Sequence, residues 1–381
     1  MLSPEKGTIG VSATLVRGGT SKCWLFDVAD IHGRGASTED VLLAAFGARD
    51  HSQIDGVGGA TSTTSKAAIV AHSYEPGVDI DYTFAQVGVG VEQVEWGSNC
   101  GNCATAVGLY AVQSGLVRPR GDRTRVRMRN TNSGSRIDAV VATPGARFRP
   151  TGDAVVPGVS SPGVPVGLEF LNPVGGSLLP TGRAVDMLES REKTAKATLV
   201  DAGAPAALVD APSLGLTGSE SVAEFGERLP SLLGLRRAAA IRMGLSTPDS
   251  PVSHAVPKLG IVGPAADYTT TGGTHVTAGE FDVAVRMASM HAPHPVIGLT
   301  SMVAVAAAAT VPGSTVRAHT AAENGEIRIG TAAGVVSASL RTSGDGALTG
   351  VTLNRSARVI ARADIFVPAA AREAREPAVA R

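Results

Sequence analysis

The stretch "SNCGNCATAVGLYAV", residues 98–112, decides the fold of this chain. Two cysteines and two asparagines surround a glycine, and small or apolar residues then follow on nearly all sides of a predicted helix. A helix that is apolar all round must be enclosed, and the strand-like segments before and after it indicate that a sheet encloses it. Gly115 stands where the C-terminal stop of such a helix is expected. We therefore predict a buried helix with Cys100 at its N-terminus.

The cysteines of this stretch allow three interpretations. Asn99 or Asn102 can cap the helix, so that its first amides and its positive dipole end face Cys100, lower the pKa of the thiol and let it exchange protons. The alternatives are a buried structural cysteine and a redox C-x-x-C pair, since Cys100 and Cys103 have that spacing. Gly101 and Asn102 stand where redox motifs usually have bulky residues or proline, which disfavours the redox pair. Cys103 is then expected to be a small core residue.

Other sites and enzyme classes have little support in the sequence. A zinc site would need a second ligand pair, and the only candidate, "HAPH" at 291–294, is distant and broken by prolines. Neither Lys22 nor Lys66 follows a glycine as a P-loop requires, and G-x-S-x-G, H-E-x-x-H and G-x-G-x-x-G turns are missing. We therefore expect no metal and no organic cofactor.

The composition excludes several kinds of partner. Lys+Arg and Asp+Glu are equal at 34 each, and aromatic residues make up 4%, so neither an excess of positive charge nor a stacking platform indicates nucleic acid. Three cysteines are too few for a disulfide framework. The N-terminal segment has no apolar signal-peptide core, and the most apolar run, 296–311, is shorter than the roughly 20 residues that span a membrane. We expect a cytoplasmic protein.

The 381 residues suit two domains. Strand-like segments, helical stretches at 38–50 and 102–117, and a Gly/Pro-rich segment at 157–182 place a boundary near residue 182. The second half then repeats the pattern and contains an apolar helix from about His294 to Thr310. The predicted domains are 1–182 and 183–352, and 353–381 forms a closing strand, which stays with the second domain or rejoins the first, and a frayed tail.

Two further segments of the first half combine glycines, hydroxyls and cations. They are "RGGTSK" (17–22) and "DGVGGATSTTSK" (55–66). Glycines let the backbone approach a ligand closely, and Arg17, Lys22 and Lys66 suit carboxylates. A small polyanionic substrate is the expected ligand. Each segment taken alone could also be an ordinary turn between strands.

These three segments, in this order and at these separations, resemble the PrpF-like family of 2-methylaconitate isomerases, 3-methylitaconate delta-isomerases and 4-oxalomesaconate tautomerases. The likeness continues in "LPTGRAVDML" (179–188), "VPKLGIVGP" (256–264) and "GEIRIGTAAGVV" (325–336), so it covers most of the chain. It implies an α+β, diaminopimelate epimerase-like fold: two pseudo-symmetric domains, each with a curled, mostly antiparallel sheet around a central helix.

The resemblance also implies the site residues. It makes Lys66 and Cys100 the catalytic acid/base pair. It implies substrate contacts from Arg17, Gly19, Thr20, Ser21, Lys22, Ser65, Asn99, Gly101 and Asn102, and from Arg286 in the second domain. The chain departs from the family pattern at Cys103 and at Ala204, where asparagine is expected, and it has no cysteine beyond Cys103 for a two-thiol racemisation.

The implied activity is a cofactor-independent isomerisation. It shifts a C=C bond by 1,3-allylic proton transfer in a small unsaturated di- or tricarboxylic acid, such as an aconitate or methylaconitate. The alternatives are a keto-enol tautomerase or cis-trans isomerase of a related acid such as 4-oxalomesaconate, and a non-catalytic polycarboxylate-binding protein of the same fold. The expected partner is the substrate alone, without nucleic acid or membrane, and a homodimer is a candidate assembly.

Overall fold

The structure is a computed structural model that describes residues 8–32, 36–96, 100–174, 176–191, 193–249, 256–320, 325–344 and 346–368. Its helices and strands, in chain order, are β1 (Thr8–Gly18), β2 (Ser21–Asp27), α1 (Val28–Ile31), α2 (Thr38–Phe46), β3 (Lys66–His72), β4 (Ile80–Val87), β5 (Val94–Glu95), α3 (Gly101–Gln113), β6 (Arg123–Asn130), β7 (Arg136–Ala142), β8 (Val164–Leu171), β9 (Asp186–Glu189), β10 (Thr194–Ala202), β11 (Ala204–Asp210), α4 (Val222–Arg242), β12 (Lys258–Pro264), β13 (Tyr268–Thr269), β14 (His275–Val276), β15 (Val283–Ser289), β16 (Ala292–Pro293), α5 (Leu299–Ala309), β17 (Glu326–Thr331), β18 (Gly334–Thr342) and β19 (Leu348–Pro368).

The chain divides into two compact units. Unit 1 comprises Met1–Arg118, Val126–Ser135 and Ala357–Arg381, and unit 2 comprises Pro119–Arg125 and Arg136–Ser356. The chain first leaves unit 1 at residues 118–119, ahead of the boundary near residue 182 that the sequence predicts. The predicted division into folding domains stays a prediction.

Unit 1 is a mixed sheet that covers the buried helix α3. β1 pairs antiparallel with β2 and with the end of β19, β2 pairs parallel with β3, β3 pairs antiparallel with β4, and β4 pairs parallel with β6. Ten of the thirteen residues of α3 are buried, and the helix contacts β1, β2, β3 and β4. The predicted buried helix is therefore present. On the opposite face, alternate side chains of β1, β2 and β3 pack with α1 and α2.

Unit 2 contains a second mixed sheet with a helix on each face. β9, β10, β11, β12, β15, β17 and β18 pair in that order, and the first part of β19 pairs with β18. The long helix α4 packs on one face through apolar side chains, and α5, ten of whose eleven residues are buried, contacts β10, β11 and β18. The helix α5 begins at Leu299, later than predicted, because Ala292–Pro293 pair with β15 as a short strand. No helix in the described ranges is long and apolar enough to cross a membrane.

Candidate active site

The turn between β1 and β2 brings "RGGTSK" against the first turn of α3. A Cβ on Gly18 would collide with the carbonyl oxygen of Asn102 and lie 2.8 Å from the amide nitrogen of Ala106, so only glycine lets the strand approach the helix. Gly19 has a φ of 52°, in the left-handed region that glycine tolerates. The two glycines thus set the hydroxyls of Thr20 and Ser21 beside the N-terminus of α3.

Asn102 links this turn to the helix. Its side-chain nitrogen donates hydrogen bonds to Thr20 Oγ1 at 3.0 Å and Ser21 Oγ at 3.3 Å. The sequence offers Asn99 or Asn102 as the cap, and Asn102 does not serve as one: the N-cap residue is Cys100, with Gly101 as the first helical residue and no side-chain hydrogen bond from Cys100 to the helix amides. Asn102 is the second residue of the helix, and its side-chain nitrogen is bonded to the turn. Asn99 lies outside the described residues.

Lys66 opens β3 on the face of the sheet that contacts α3. Its Nζ donates a 2.5 Å hydrogen bond to Gln86 Oε1 on β4 and lies 5.1 Å from the centroid of the Phe84 ring. Gln86 Nε2 in turn donates to the carbonyl of Ser65 at 2.9 Å, which turns the amide oxygen of Gln86 toward Lys66. Sequence reasoning missed Gln86, although it stands opposite Lys66 in the register of β3 and β4 as a polar residue on the helix-facing side.

The loop before Lys66 is organised by Gln53, a buried residue that the sequence analysis also missed. Gln53 Oε1 accepts from the amide of Ala60 at 2.8 Å and from Ser65 Oγ at 2.6 Å, and Gln53 Nε2 donates to the carbonyl of Gly88 at 3.1 Å. The hydroxyl of Ser65 is thus committed to Gln53 and does not point at Lys66. Gln53 therefore fixes the backbone that leads into the lysine.

The three cysteines form one cluster beside Lys66. The thiols of Cys100 and Cys103 act on each other's pKa, and the thiol of Cys23 on β2 acts on that of Cys103. Cys23 Sγ itself donates to the carbonyl of Trp24 at 3.7 Å. Cys103 and Cys23 are buried, and Cys100 is half-buried. Cys103 is a core residue, as the sequence predicts.

The pKa of Cys100 is raised well above its ordinary value. The largest cause is the hydrogen bond with the Cys103 thiol, followed by burial, which disfavours the thiolate. The positive charge of Lys66 and the backbone amide of Cys103 at the helix N-terminus oppose this shift without reversing it. The prediction of a lowered thiol pKa is therefore wrong in sign, because the neighbouring thiol and burial outweigh the helix end.

Substitution of the two groups that act on Cys100 should move its pKa in opposite directions. Cys103→Ala removes the hydrogen bond that holds the thiol proton, so the pKa of Cys100 is expected to fall. Lys66→Met removes the opposing positive charge, so the pKa is expected to rise further. The pH dependence of alkylation by iodoacetamide, followed on the peptide containing Cys100, measures both shifts; shifts of the same sign in the two variants would contradict this arrangement.

Arg17 and Lys22 lie near the turn but on the other face of the sheet. They are opposite one another in the β1–β2 register, which continues the face of Leu15 and Trp24, and Arg17 is also opposite Arg358 on β19. The guanidinium of Arg17 is buried and donates from Nη1 to the carbonyl of Gly19 at 3.1 Å. Burial, and then the charge of Arg358, lower the pKa of Arg17. The structure thus gathers Lys66, Cys100, Thr20, Ser21 and Asn102, and keeps the side chains of Arg17 and Lys22 on the opposite face.

Arg286 lies on β15 in unit 2 and is 3% exposed. Its guanidinium donates from Nε to the carbonyl of Glu220 at 2.6 Å and from Nη1 to the carbonyls of Val285 and Gly330, and it lies 5.1 Å from the centroid of the Tyr268 ring. Burial lowers its pKa. These bonds occupy two of its three nitrogens with backbone carbonyls, so its predicted carboxylate contact would have to use Nη2.

Sequence comparison identifies a family model and related proteins that match this chain. The family model described as PrpF protein matches residues 8–368. The chain is 34% identical to a 2-methyl-aconitate isomerase of Shewanella oneidensis, over 94% of this chain and 97% of that protein. It is 38% identical to a (4E)-oxalomesaconate Delta-isomerase of Novosphingobium sp. strain KA1, over 78% and 80% of the two chains.

Solved structures agree with the sequence relatives. A crystal structure of a methylitaconate-delta-isomerase superposes with a TM-score of 0.86 at 29% identity and covers 95% of this chain and 97% of that chain. A hydroxyproline epimerase from Agrobacterium vitis superposes with a TM-score of 0.51 at 12% identity, with 96% and 94% of the two chains covered. The second likeness shows a shared fold alone.

Proposed function

The chain belongs to the PrpF family and is an isomerase, and we propose that it moves a carbon–carbon double bond in a small unsaturated di- or tricarboxylic acid by 1,3-allylic proton transfer. The observation that carries this proposal is the placement of Lys66 beside Cys100, where the charge of Lys66 acts on the thiol. A base and an acid on two different elements, β3 and the N-terminus of α3, can serve two carbons of one substrate. An aconitate or a methylaconitate is the substrate class we favour.

In this mechanism Lys66 acts as the free amine, after its ammonium has given up a proton to solvent, and removes a proton from the carbon next to the conjugated C=C bond. The electron pair of the broken C–H bond forms the new double bond, and the charge spreads into an extended dienolate. The Cys100 thiol then protonates the carbon at the other end of the allylic system, which leaves a thiolate beside an ammonium. Proton transfer between those two groups restores the starting state. The raised pKa of Cys100 supports its role as the acid, because a thiol that keeps its proton has one to give.

The negative charge of the dienolate has to be stabilised by hydrogen-bond donors that are already in place. We propose that the hydroxyls of Thr20 and Ser21, positioned by Asn102, and the N-terminal end of α3 bind the carboxylates on the Lys66 side. We propose that the other residues predicted from the sequence also contact the substrate: Arg17, Gly19, Lys22, Ser65, Asn99, Gly101 and Arg286. Among these, Arg17 and Lys22 would act through their charge at the strand ends.

The finer description of the fold also belongs to this proposal. We propose two pseudo-symmetric domains, each with a mostly antiparallel sheet curled around α3 or α5 as its central helix. The N-cap residue of α5 is Gly298, where the corresponding residue of α3 is Cys100. The counterpart of Cys100 is thus not a thiol, which supports a mechanism with one thiol and one amine.

We propose that neither a metal ion nor an organic cofactor takes part. In the parts of the chain that the structure describes, no group of three or more His, Cys, Asp or Glu side chains could hold a metal ion. An amine and a thiol are sufficient for the proton transfers. A homodimer and the lack of a nucleic-acid partner stay predictions.

The test of this function is a panel of unsaturated di- and tricarboxylic acids incubated with the enzyme and read by ¹H NMR. At least one aconitate-like acid should give new vinyl or methylene signals that match its double-bond isomer, at a rate unchanged by EDTA. Conversion of 4-oxalomesaconate alone would favour the oxo-acid alternative, which the 38% identical relative supports. Binding without conversion of any acid would favour a non-catalytic carboxylate-binding protein.

A further inference from the structure

Unit 2 contains a cluster of basic side chains that the proposed mechanism does not use. Lys258 opens β12, His294 follows β16, and Arg236 lies on α4. Lys258 and His294 are half-buried and Arg236 is 3% exposed. Sequence analysis singled out His294 only as a weak zinc candidate within "HAPH".

The backbone register brings Lys258 and His294 to one face of the sheet. Gly260 pairs with Met287 in β12 and β15, and the amide of His294 donates to the carbonyl of Met287 at 2.7 Å. A Cβ on Gly260 would collide with Met287 Sδ, so the two residues share a face, and Lys258, two residues before Gly260, lies on that face as well. Lys258 and His294 therefore flank Met287.

Arg236 adds a second positive charge, beside that of Lys258, at the same end of the strands. Its Nη1 donates a 2.8 Å hydrogen bond to the carbonyl of Met290, in the turn between β15 and β16. Burial, and then the charge of Arg236, lower the pKa of Lys258. Burial, and then the charge of Lys258, lower the pKa of His294 to about 4. The charge of Arg236 thus acts on Lys258, and the charge of Lys258 acts on His294.

Lys258 has no counterion within the described residues. No carboxylate there forms an ion pair with Lys258, and its ammonium donates no hydrogen bond to them. His294 Nδ1 accepts from the amide of Val296 at 3.0 Å, so the neutral ring carries its proton on Nε2. An ammonium and an imidazole N–H are thus both available as donors, in a place where a positive charge alone is unfavourable.

We propose that Lys258 and His294 form a binding site in unit 2 for the carboxylate of a small organic acid. A carboxylate would accept hydrogen bonds from both donors and neutralise the charge of Lys258. The positive charge of Arg236 would add electrostatic attraction for the carboxylate. The carboxylate has two candidate sources, the substrate of the isomerase and a separate acid metabolite. All the residues of this site lie in unit 2, and the site does not depend on the proposed reaction.

The test uses tricarballylate, a saturated tricarboxylate that has no double bond to isomerise. The pKa of His294 is measured by ¹H–¹⁵N NMR with and without this acid at constant ionic strength, and the His294→Gln variant assigns the resonance. An anion bound between Lys258 and His294 stabilises the imidazolium, so the pKa of His294 should rise from about 4 by at least about one unit. No shift at saturating tricarballylate would overturn the proposal.

Two lysine variants make the test specific. Lys258→Met should weaken tricarballylate binding at this site at least about tenfold, the loss expected for one charge-assisted hydrogen bond, and Lys196→Met, at an exposed lysine of β10, should leave it unchanged. Without ligand, Lys258→Met should itself raise the pKa of His294. An unchanged response of His294 to tricarballylate in Lys258→Met would contradict the proposal.

Kinetics identify the source of the carboxylate. If the substrate supplies it, Lys258→Met raises KM about tenfold or more while kcat changes less than about threefold. If a separate acid supplies it, KM stays unchanged while tricarballylate binding falls. Both results support the site, and since binding is measured without turnover, failure of the proposed reaction would leave this test intact.

Discussion

Replacement of Lys66 by alanine is expected to lower kcat at least about 10³-fold, because the change removes the proposed base and the positive charge that the base gains when it takes up the proton. The ammonium contacts Gln86 and the ring of Phe84, so the substitution also leaves the amide oxygen of Gln86 without that donor. The rate of isomerisation of the best acid in the panel, measured at saturating substrate, gives the loss directly. Lys66→Glu is expected to lose at least as much, since it places a negative charge against the dienolate.

Lys196→Ala is the matched control for this substitution. Lys196 is an exposed lysine on β10 that makes none of the contacts described for Lys66, and its replacement should leave the rate unchanged. Circular dichroism shows whether both variants keep their fold. A Lys66→Ala enzyme that folds and has a kcat within a few-fold of the wild-type value would contradict the assignment of Lys66 as a catalytic residue.

The second large effect is expected at Cys100. Cys100→Ala removes the proposed proton donor and should lower kcat about 10²- to 10⁴-fold, the usual contribution of a general acid. Cys103→Ala is a control with the same chemistry three residues away: Cys103 is fully buried, and its proposed role is packing and a hydrogen bond to the neighbouring thiol. We expect Cys103→Ala to keep kcat within about tenfold, with a pH profile displaced by the altered pKa of Cys100.

The difference in kcat between Cys100→Ala and Cys103→Ala tests the role of Cys100 as the acid. Equal losses in Cys100→Ala and Cys103→Ala would indicate that the thiols act as a unit, as in a redox pair, and would contradict the role given to Cys100 alone. A Cys100→Ser variant adds a graded comparison, because a hydroxyl is a weaker acid than a thiol and should recover only part of the rate.

Local pattern was sufficient to predict the helix α3, Cys100 at its start and the core position of Cys103. The resemblance carried by "RGGTSK", "DGVGGATSTTSK" and "SNCGNC" predicted the PrpF family and the isomerase class, and the family match and the relatives confirm both. These features follow from residues that are close in sequence or from motifs that recur as a set.

The expectations that failed depend on contacts between distant segments. Asn102 was one of two candidates for the helix cap, but Cys100 is the N-cap residue, and the side-chain nitrogen of Asn102 donates to Thr20 and Ser21 from the β1–β2 turn. The pKa of Cys100 rises because the thiol of Cys103 and burial act on it, and Cys23 from another strand in turn acts on the pKa of Cys103. Neither partner is visible in the spacing of the C-x-x-C motif.

The polar residues that position the site were missed for a related reason. Gln53 and Gln86 carry no motif, and their importance depends on which neighbours they meet: Gln53 holds the loop before Lys66, and Gln86 accepts from the lysine itself. Strand alternation could have placed Gln86 on the helix-facing side of β4 and Arg17 on the opposite face of β1. It could not have shown that Lys66 and Gln86 stand opposite one another, since that depends on the register of β3 and β4.

The most direct test of the account is isomerisation in D₂O with deuterium located by ²H and ¹³C NMR. A 1,3-allylic transfer with solvent-exchanging lysine and cysteine protons should place deuterium on the carbon that gains a proton, two positions from the carbon that loses one. In recovered substrate, deuterium should appear on the carbon that Lys66 deprotonates, and Lys66→Ala should abolish this label. Conversion of the acid without deuterium at either carbon, or unchanged labelling in Lys66→Ala, would contradict proton transfer through Lys66 and Cys100.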